Sequence, residues 1–230
     1  YFPLHGKERY KPGGDKDHSW QPCMGIAGTV QVAADAAREA FRKDPQLESY
    51  SFGMNDGGGW CECPACRAID RPMKAWHGFD GTKSVLFYTW LNRIAENLAQ
   101  DFPDKKIGCL AYSAAILPPP GLKLHPMIVP YYTSNRADYY EPSFRRQDEQ
   151  MVSWWSRHVT QMGIYDYAYG VGFAIPRIYN HLFQEAVQYA VAHNVTGFYA
   201  EVYPNWGLDG PKLYVMSRVL WDPKVNIDRL

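Results

Sequence analysis

The stretch Ser51-Phe52-Gly53-Met54-Asn55-Asp56-Gly57-Gly58-Gly59-Trp60-Cys61-Glu62-Cys63-Pro64-Ala65-Cys66 joins a short apolar run to a carboxylate, a glycine-rich loop and three cysteines spaced C-x-C-x-x-C. It reads as a strand that delivers Asp56 to its tip, followed by a loop pinned by thiolates. Barrel enzymes assemble their sites from such strand tips. Tight cysteine spacing is how small metal sites are built.

Outward from this stretch, hydrophobic spacing alternates between two periods. Upstream, Val30, Ala33, Ala34, Ala37 and Phe41 predict a helix over Thr29–Lys43, stopped at Asp44-Pro45. Residues 1–22 show little periodicity and read as an extended loop of the kind that borders a site. Downstream, helices are predicted over Lys83–Asp101, Phe144–His158, Tyr179–His193 and Leu213–Leu220. Strands are predicted over Tyr50–Met54, Ile107–Tyr112, Met127–Tyr132, Gly163–Tyr169 and Val195–Val202. Alternating strands and helices imply a parallel α/β sheet. No glycine-rich phosphate loop follows any strand, which disfavours a doubly wound nucleotide-binding fold. A (β/α)8 barrel of the TIM type fits better. Five units are visible where closure takes eight. The expectation is therefore one TIM-barrel-like domain over 1–230, a fragment of a longer protein whose missing strands lie before Tyr1, or else an incomplete barrel.

The bulk numbers narrow the function classes. With 230 residues, 46% of them hydrophobic, the chain can bury a sizeable core. Basic and acidic side chains balance at 24 each, so nothing points to nucleic acid or another polyanion. No apolar run is long enough to span a membrane. Aromatics reach 15%, with 17 Tyr and 8 Trp. They suit a large core, and equally suit sugar rings stacked on aromatic faces. Gly-x-Ser-x-Gly and His-Glu-x-x-His are both absent, which removes the serine-hydrolase elbow and the zinc-protease helix.

Cys61, Cys63 and Cys66 offer three thiolates to one ion, and Cys23, in Gln21-Pro22-Cys23, is the best fourth ligand, with His77 as runner-up. Zinc in a closed four-thiolate site leads on tetrahedral thiolate preference. A disulfide from Cys23 to a cluster member and an iron–sulfur cluster are the alternatives. A closed zinc site has no open position, so it would be structural and would brace the loop carrying Asp56. Cys109 falls in a predicted strand and reads as a small hydrophobe.

Three acids fall at predicted strand ends: Asp56, Asp166 and Glu201. A pair of carboxylates flanking a bond is what acetal hydrolysis requires. The leading function is a glycoside hydrolase, with Glu201 as one catalytic carboxylate and Asp166 or Asp56 as the other. Trp60, Tyr112, Tyr131, Tyr167 and Trp206 would shape sugar subsites. Asn55 and Arg136 would hydrogen-bond substrate, and an arginine would suit the carboxylate of a uronic acid. Each acid could instead cap a helix or pair with Arg136 or Arg177. The competing functions are a non-catalytic carbohydrate-binding protein on a degenerate barrel, and a hydrolase that uses the metal directly.

The runs Tyr1-Phe2-Pro3-Leu4 with Gly6-Lys7, Gln21-Pro22-Cys23, Ser51 to Asp56, and Trp60 to Arg67 resemble the domain-of-unknown-function family 4838. So does the ending Leu213-Tyr214-Val215 with Arg218-Val219-Leu220-Trp221-Asp222-Pro223. The resemblance covers nearly the whole chain. It implies a TIM-barrel, glycoside-hydrolase-like protein, nearest in style to the family 67 α-glucuronidases. It also implies a secreted or periplasmic protein of polysaccharide-degrading bacteria. The cysteine pattern is similar to the zinc site of the family 42 β-galactosidases. The order Asp56, Asp166, Glu201 matches the acid order of the α-glucuronidases, with Asp at position 56 where Glu is usual.

Overall fold

The structure, a computed structural model, describes residues 1–14, 16–71, 73–170, 172–203 and 205–230. Strands and helices alternate as expected. The strand order is β3-β4-β5-β6-β7 (Ser49–Ser51, Lys106–Ala111, Ile128–Ser134, Met162–Tyr167, Val195–Glu201). β3 pairs with β4, β5 with β6, and β6 with β7, each in parallel. Neighbours in sequence are thus neighbours in space, the order of successive βα units wound in one direction. The chain divides into two compact units, Tyr1–Pro130 and Tyr131–Leu230.

In the first unit, α1 (Ala27–Lys43) buries Val30, Ala34, Ala37 and Phe41, one stripe at helical spacing. It ends before Pro45, because the residue preceding a proline is pushed out of the helical region. α1 packs beside α3 (Ser84–Leu98), whose Leu86, Phe87, Leu91, Ile94, Ala95 and Leu98 are fully enclosed. β4 is almost continuously buried, as befits a strand of a parallel sheet covered on both faces. Cys109 lies in it and is buried, and burial pushes its thiol up. The segment expected as a loop at the N-terminus holds a two-strand hairpin, β1 (Leu4–His5) and β2 (Glu8–Arg9). Gly6, at φ +61°, makes its tight turn. A short helix, α2 (Pro64–Ile69), follows the cysteine loop.

In the second unit, α4 (Pro142–Ser156), α5 (Asn180–Ala192) and α6 (Trp206–Trp221) cover one sheet face. Tyr179, Phe183, Val187, Val215, Met216 and Val219 form the core between helices and sheet, with Phe198 and Ala200 packed against it. The register places Tyr165 beside Tyr199 and Tyr167 beside Glu201. Side chains alternate along a strand. Phe198 and Ala200 therefore face the helices with Ile164 and Asp166, while Tyr165, Tyr167, Tyr199 and Glu201 share the opposite face. Tyr131, Gly163 and Gly197 extend that second face. A Cβ on Gly163 would lie 2.3 Å from the Tyr131 ring, and one on Gly197 would lie 2.5 Å from the Tyr131 hydroxyl. The ring lies across two strands that only glycine leaves bare. Among the described residues no helix is long and apolar enough to cross a membrane.

Candidate functional site

In the first unit, the ligand atoms of Cys23, Cys61, Cys63 and Cys66 all lie within 4.8 Å of one another, and all four residues are buried. They are free thiols. Cys23 Sγ stands 3.5 Å from Cys63 Sγ and 3.7 Å from Cys66 Sγ. A disulfide needs about 2.05 Å. Zinc–sulfur bonds of about 2.3 Å in a tetrahedron place sulfurs about 3.8 Å apart. The spacing is that of four ligands around one ion. His77, the alternative ligand, is exposed and outside the group.

N–H donors surround the four sulfurs. Leu4 N–H and Gly25 N–H each donate at 3.2 Å, to Cys61 Sγ and Cys66 Sγ, and Arg9 Nη1 lies 3.7 Å from Cys61 Sγ. Burial pushes the Cys23 and Cys66 thiols up. Burial also opposes ionisation of Cys63, but the Cys66 backbone N–H and the neighbouring thiols outweigh it and bring Cys63 down to about 6. These four buried sulfurs could hold one metal ion, and the N–H groups around them stand where outer-shell partners of metal ligands do. Gly25 allows the approach: a Cβ there would meet Cys66 N at 2.5 Å.

The same region braces the loop after β3. The buried Gln21 side chain donates to Asn55 O at 2.9 Å and Gly57 O at 3.2 Å, and accepts from Asn55 N at 3.1 Å. Asn55 donates its side-chain amide to Trp20 O at 2.6 Å. Asn55 thus helps hold the loop, and Asp56 stands exposed at its tip. Trp60 lines an open cleft with His5, Glu62, Asp70 and Lys83, where Lys83 Nζ and Asp70 Oδ2 pair at 2.5 Å. Tyr112 follows β4 and is half-buried.

In the second unit, the Tyr165 hydroxyl donates to Glu201 Oε1 at 2.5 Å. Burial and this bond both raise the Tyr165 hydroxyl, keeping it protonated as the donor. Rings continue from there along the strand ends. Tyr165 lies 5.0 Å from Tyr199 and 5.7 Å from Tyr167, and Tyr167 lies 6.1 Å from Tyr169. Tyr131 sits on this face, whereas Trp206 is exposed at the start of α6.

Asp166 and Arg136 occupy a different place. Both are fully buried on the helix side. Arg136 Nη1 lies 3.6 Å from Asp166 Oδ2, and Arg136 Nη2 lies 3.4 Å from Asp148 Oδ2. Asp166 Oδ1 accepts from Arg136 N at 3.1 Å and Tyr167 N at 2.8 Å, while Tyr132 and Tyr139 donate to Asp148 at 2.7 and 2.6 Å. Burial raises the Asp166 carboxyl, and Arg136 with the two N–H groups works against that. The strand therefore brings Glu201 and Tyr167 to one face and turns Asp166 to the other. Period-two alternation in Tyr165-x-Tyr167-x-Tyr169 and Tyr199-x-Glu201-x-Tyr203 already carries this signal.

Tyr165 as a partner for Glu201, Asp148 as the second acid on Arg136, and Arg177 as a strand-tip group are not recognised by the sequence reading. The first two need tertiary register. Arg177 lies in an aperiodic loop.

The chain matches the family model for Domain of unknown function (DUF4838) over residues 1–230, and it belongs to that family. No curated protein matches it.

Proposed function

We propose that this chain contributes consecutive βα units to a TIM-type barrel and acts as a glycoside hydrolase on plant or microbial poly- or oligosaccharides. The observation that carries this reading is the Tyr165–Glu201 hydrogen bond at a strand end, set in a stripe of tyrosines on one sheet face. The Tyr165 hydroxyl fixes the orientation of the Glu201 carboxylate at the strand end. That suits Glu201 to the role of nucleophile or base at a sugar's anomeric carbon. The tyrosine rings offer faces for the apolar side of a pyranose and hydroxyls for its polar edge.

Asp56 and Asp166 are the candidates for the second carboxylate. Asp56 is exposed and free to act, whereas Asp166 is engaged by Arg136 and two backbone N–H groups. The four-cysteine centre is proposed to hold a structural zinc ion that stiffens the loop carrying Asn55 and Asp56. Family resemblance favours a secreted or periplasmic setting.

The burial of Asp166 favours one further reading, a carbohydrate-binding protein without turnover. The second unit then contributes a single carboxylate to an aromatic platform. A screen of glycans and aryl glycosides separates the two. Sugar released by the parent protein and not by Glu201→Gln supports hydrolysis. Binding without release supports the platform alone. Absence of both overturns the carbohydrate reading.

A further inference from the structure

Resting on the reading that the four-cysteine centre holds a metal ion, we propose that the N-terminal hairpin β1–β2 is the outer shell of that centre, with Arg9 as the counter-charge to its thiolates, so that the hairpin docks firmly only on the metal-loaded site. Two paired strands of two residues each do not hold together by themselves in water. Beyond their own ladder, Tyr10 N donates to Pro3 O at 2.9 Å and Arg9 Nη1 donates to Phe2 O at 2.8 Å. The backbone hydrogen bonds that tie this segment to the rest of the unit land on two of the cysteines and on Glu62. Leu4 N donates to Cys61 Sγ at 3.2 Å, and Glu62 N donates back to Leu4 O at 2.8 Å. Gly6 N, at the turn, donates to Glu62 Oε2 at 3.1 Å, and Cys23 N donates to Tyr1 O at 2.9 Å. Phe2 adds a ring contact to Trp20, 5.3 Å between centroids. The hairpin is therefore about as firmly placed as the cysteine loop beneath it.

Four thiolates around one divalent ion leave an excess of negative charge, which outer-shell donors disperse. The N–H groups of Leu4 and Gly25 are neutral donors to sulfur, whereas Arg9 brings a full charge. Its Nη1 lies 3.7 Å from Cys61 Sγ, and among the described residues no carboxylate lies within ion-pair distance of it. Arg9 is exposed, so solvent screens it and its pull is that of a modest counter-ion. Metal binding and the folding of the groups around a site share one free energy. Withdrawing the ion returns buried sulfurs to neutral thiols, which are weak acceptors, and removes the charge that Arg9 faces. The hairpin, with few contacts of its own, is then the part of the unit that opens first. His5 of β1 lines the cleft beside the centre together with Trp60, Cys61 and Lys83, so opening the hairpin removes one wall of that cleft.

The test is amide hydrogen exchange on the full chain, loaded with zinc and again after chelation, with elemental analysis of both samples. Chelation should cut protection about tenfold or more at the amides of Leu4, Gly6 and Tyr10, while the buried helix α3 keeps its own. Arg9→Gln should surrender zinc to a chromophoric chelator about tenfold faster than the parent, the low end for an outer-shell partner. Arg9→Lys, which keeps the charge without the fork, should fall between the two. If Arg9→Gln folds poorly, Arg9→Lys and the exchange of the parent protein decide the matter. Unchanged protection at the hairpin amides, an equal loss of protection through α3, or zinc transfer at the parent's rate in both variants overturns the inference and leaves the metal reading standing. A protein that holds no zinc and cannot be loaded with it overturns the metal reading, and the inference with it.

Discussion

The Tyr165 hydroxyl reaches diagonally across two parallel strands to Glu201 Oε1, 2.5 Å away, although Tyr165 is in register with Tyr199. Diagonal neighbours on one sheet face are within reach of a long aromatic side chain. The bond therefore depends on both residues standing on the side of the sheet away from the helices. Removing the hydroxyl with Tyr165→Phe should lower kcat about tenfold to a hundredfold, because the Glu201 carboxylate loses the donor that fixes its orientation. Glu201→Gln should reduce turnover by about a thousandfold or more. An unchanged kcat in Tyr165→Phe would show that the pair does not act in the rate-determining step.

The cysteine centre predicts one bound ion per chain, read by elemental analysis of the purified protein. Chelation should lower the melting temperature. Free zinc a thousandfold above its dissociation constant stabilises by about 4 kcal/mol, or about 8–16 °C for a domain of this size. Cys66→Ser should abolish the shift on adding metal back. A melting temperature indifferent to chelator would show that the four thiols hold no stabilising ion.

The Tyr131 ring lies over Gly163 and Gly197, and a Cβ at Gly163 would sit inside its van der Waals surface. Gly163→Ala should destabilise by about 1–3 kcal/mol, the usual result of overpacking. Adding Tyr131→Ala should relieve the clash, so the double variant is less impaired than the two single effects summed. Strict additivity in denaturant melts would count against this packing.

The Asp209–Lys212 pair links the start of α6 to the end of β6, since Lys212 Nζ also donates to Ala168 O at 2.8 Å. The Lys212 hydrogen bond, followed by the Asn205 N–H, holds the Asp209 carboxyl below its usual range. A carboxylate depressed in the folded state contributes stability above its unfolded pKa of about 3.9, and that contribution is lost as pH falls through the lower folded value. Asp209→Asn should thus lower stability at neutral pH and flatten its dependence on pH below about 4. A variant that keeps the parent's slope in acid melts would remove Asp209 from the acid response.

The helices with clean periodicity were legible because one apolar stripe per helix is a local property: Val30, Ala34, Ala37 and Phe41 are enough to place α1. α6 was expected only from Leu213 because Gly210-Pro211 reads as a break. The helix in fact begins at Trp206 and carries Pro211 within it. Proline there loses one intrahelical donor, and burial of Val215, Met216 and Val219 outweighs that cost. β3 is shorter than its apolar run suggested, although Phe52 N still donates to Gly108 O at 2.9 Å beyond the strand's end.

The sequence by itself determined the alternation of strands and helices, the grouping of Cys23 with Cys61, Cys63 and Cys66, and the placing of Glu201 at a strand end. Each rests on spacing along the chain, which local geometry converts directly into a face or a tip. Only the tertiary structure decided which polar groups are committed elsewhere. Arg136 and Asp166 look as available in the sequence as Arg177 and Glu201. Yet the pleat turns the first pair into the helix layer, where a buried charge must be matched. It leaves Glu201 on the sheet's other face, and the loop after β6 holds Arg177 at the strand tip. Commitment of a charge depends on which other charges fold against it, and strand register sets that for residues tens of positions apart.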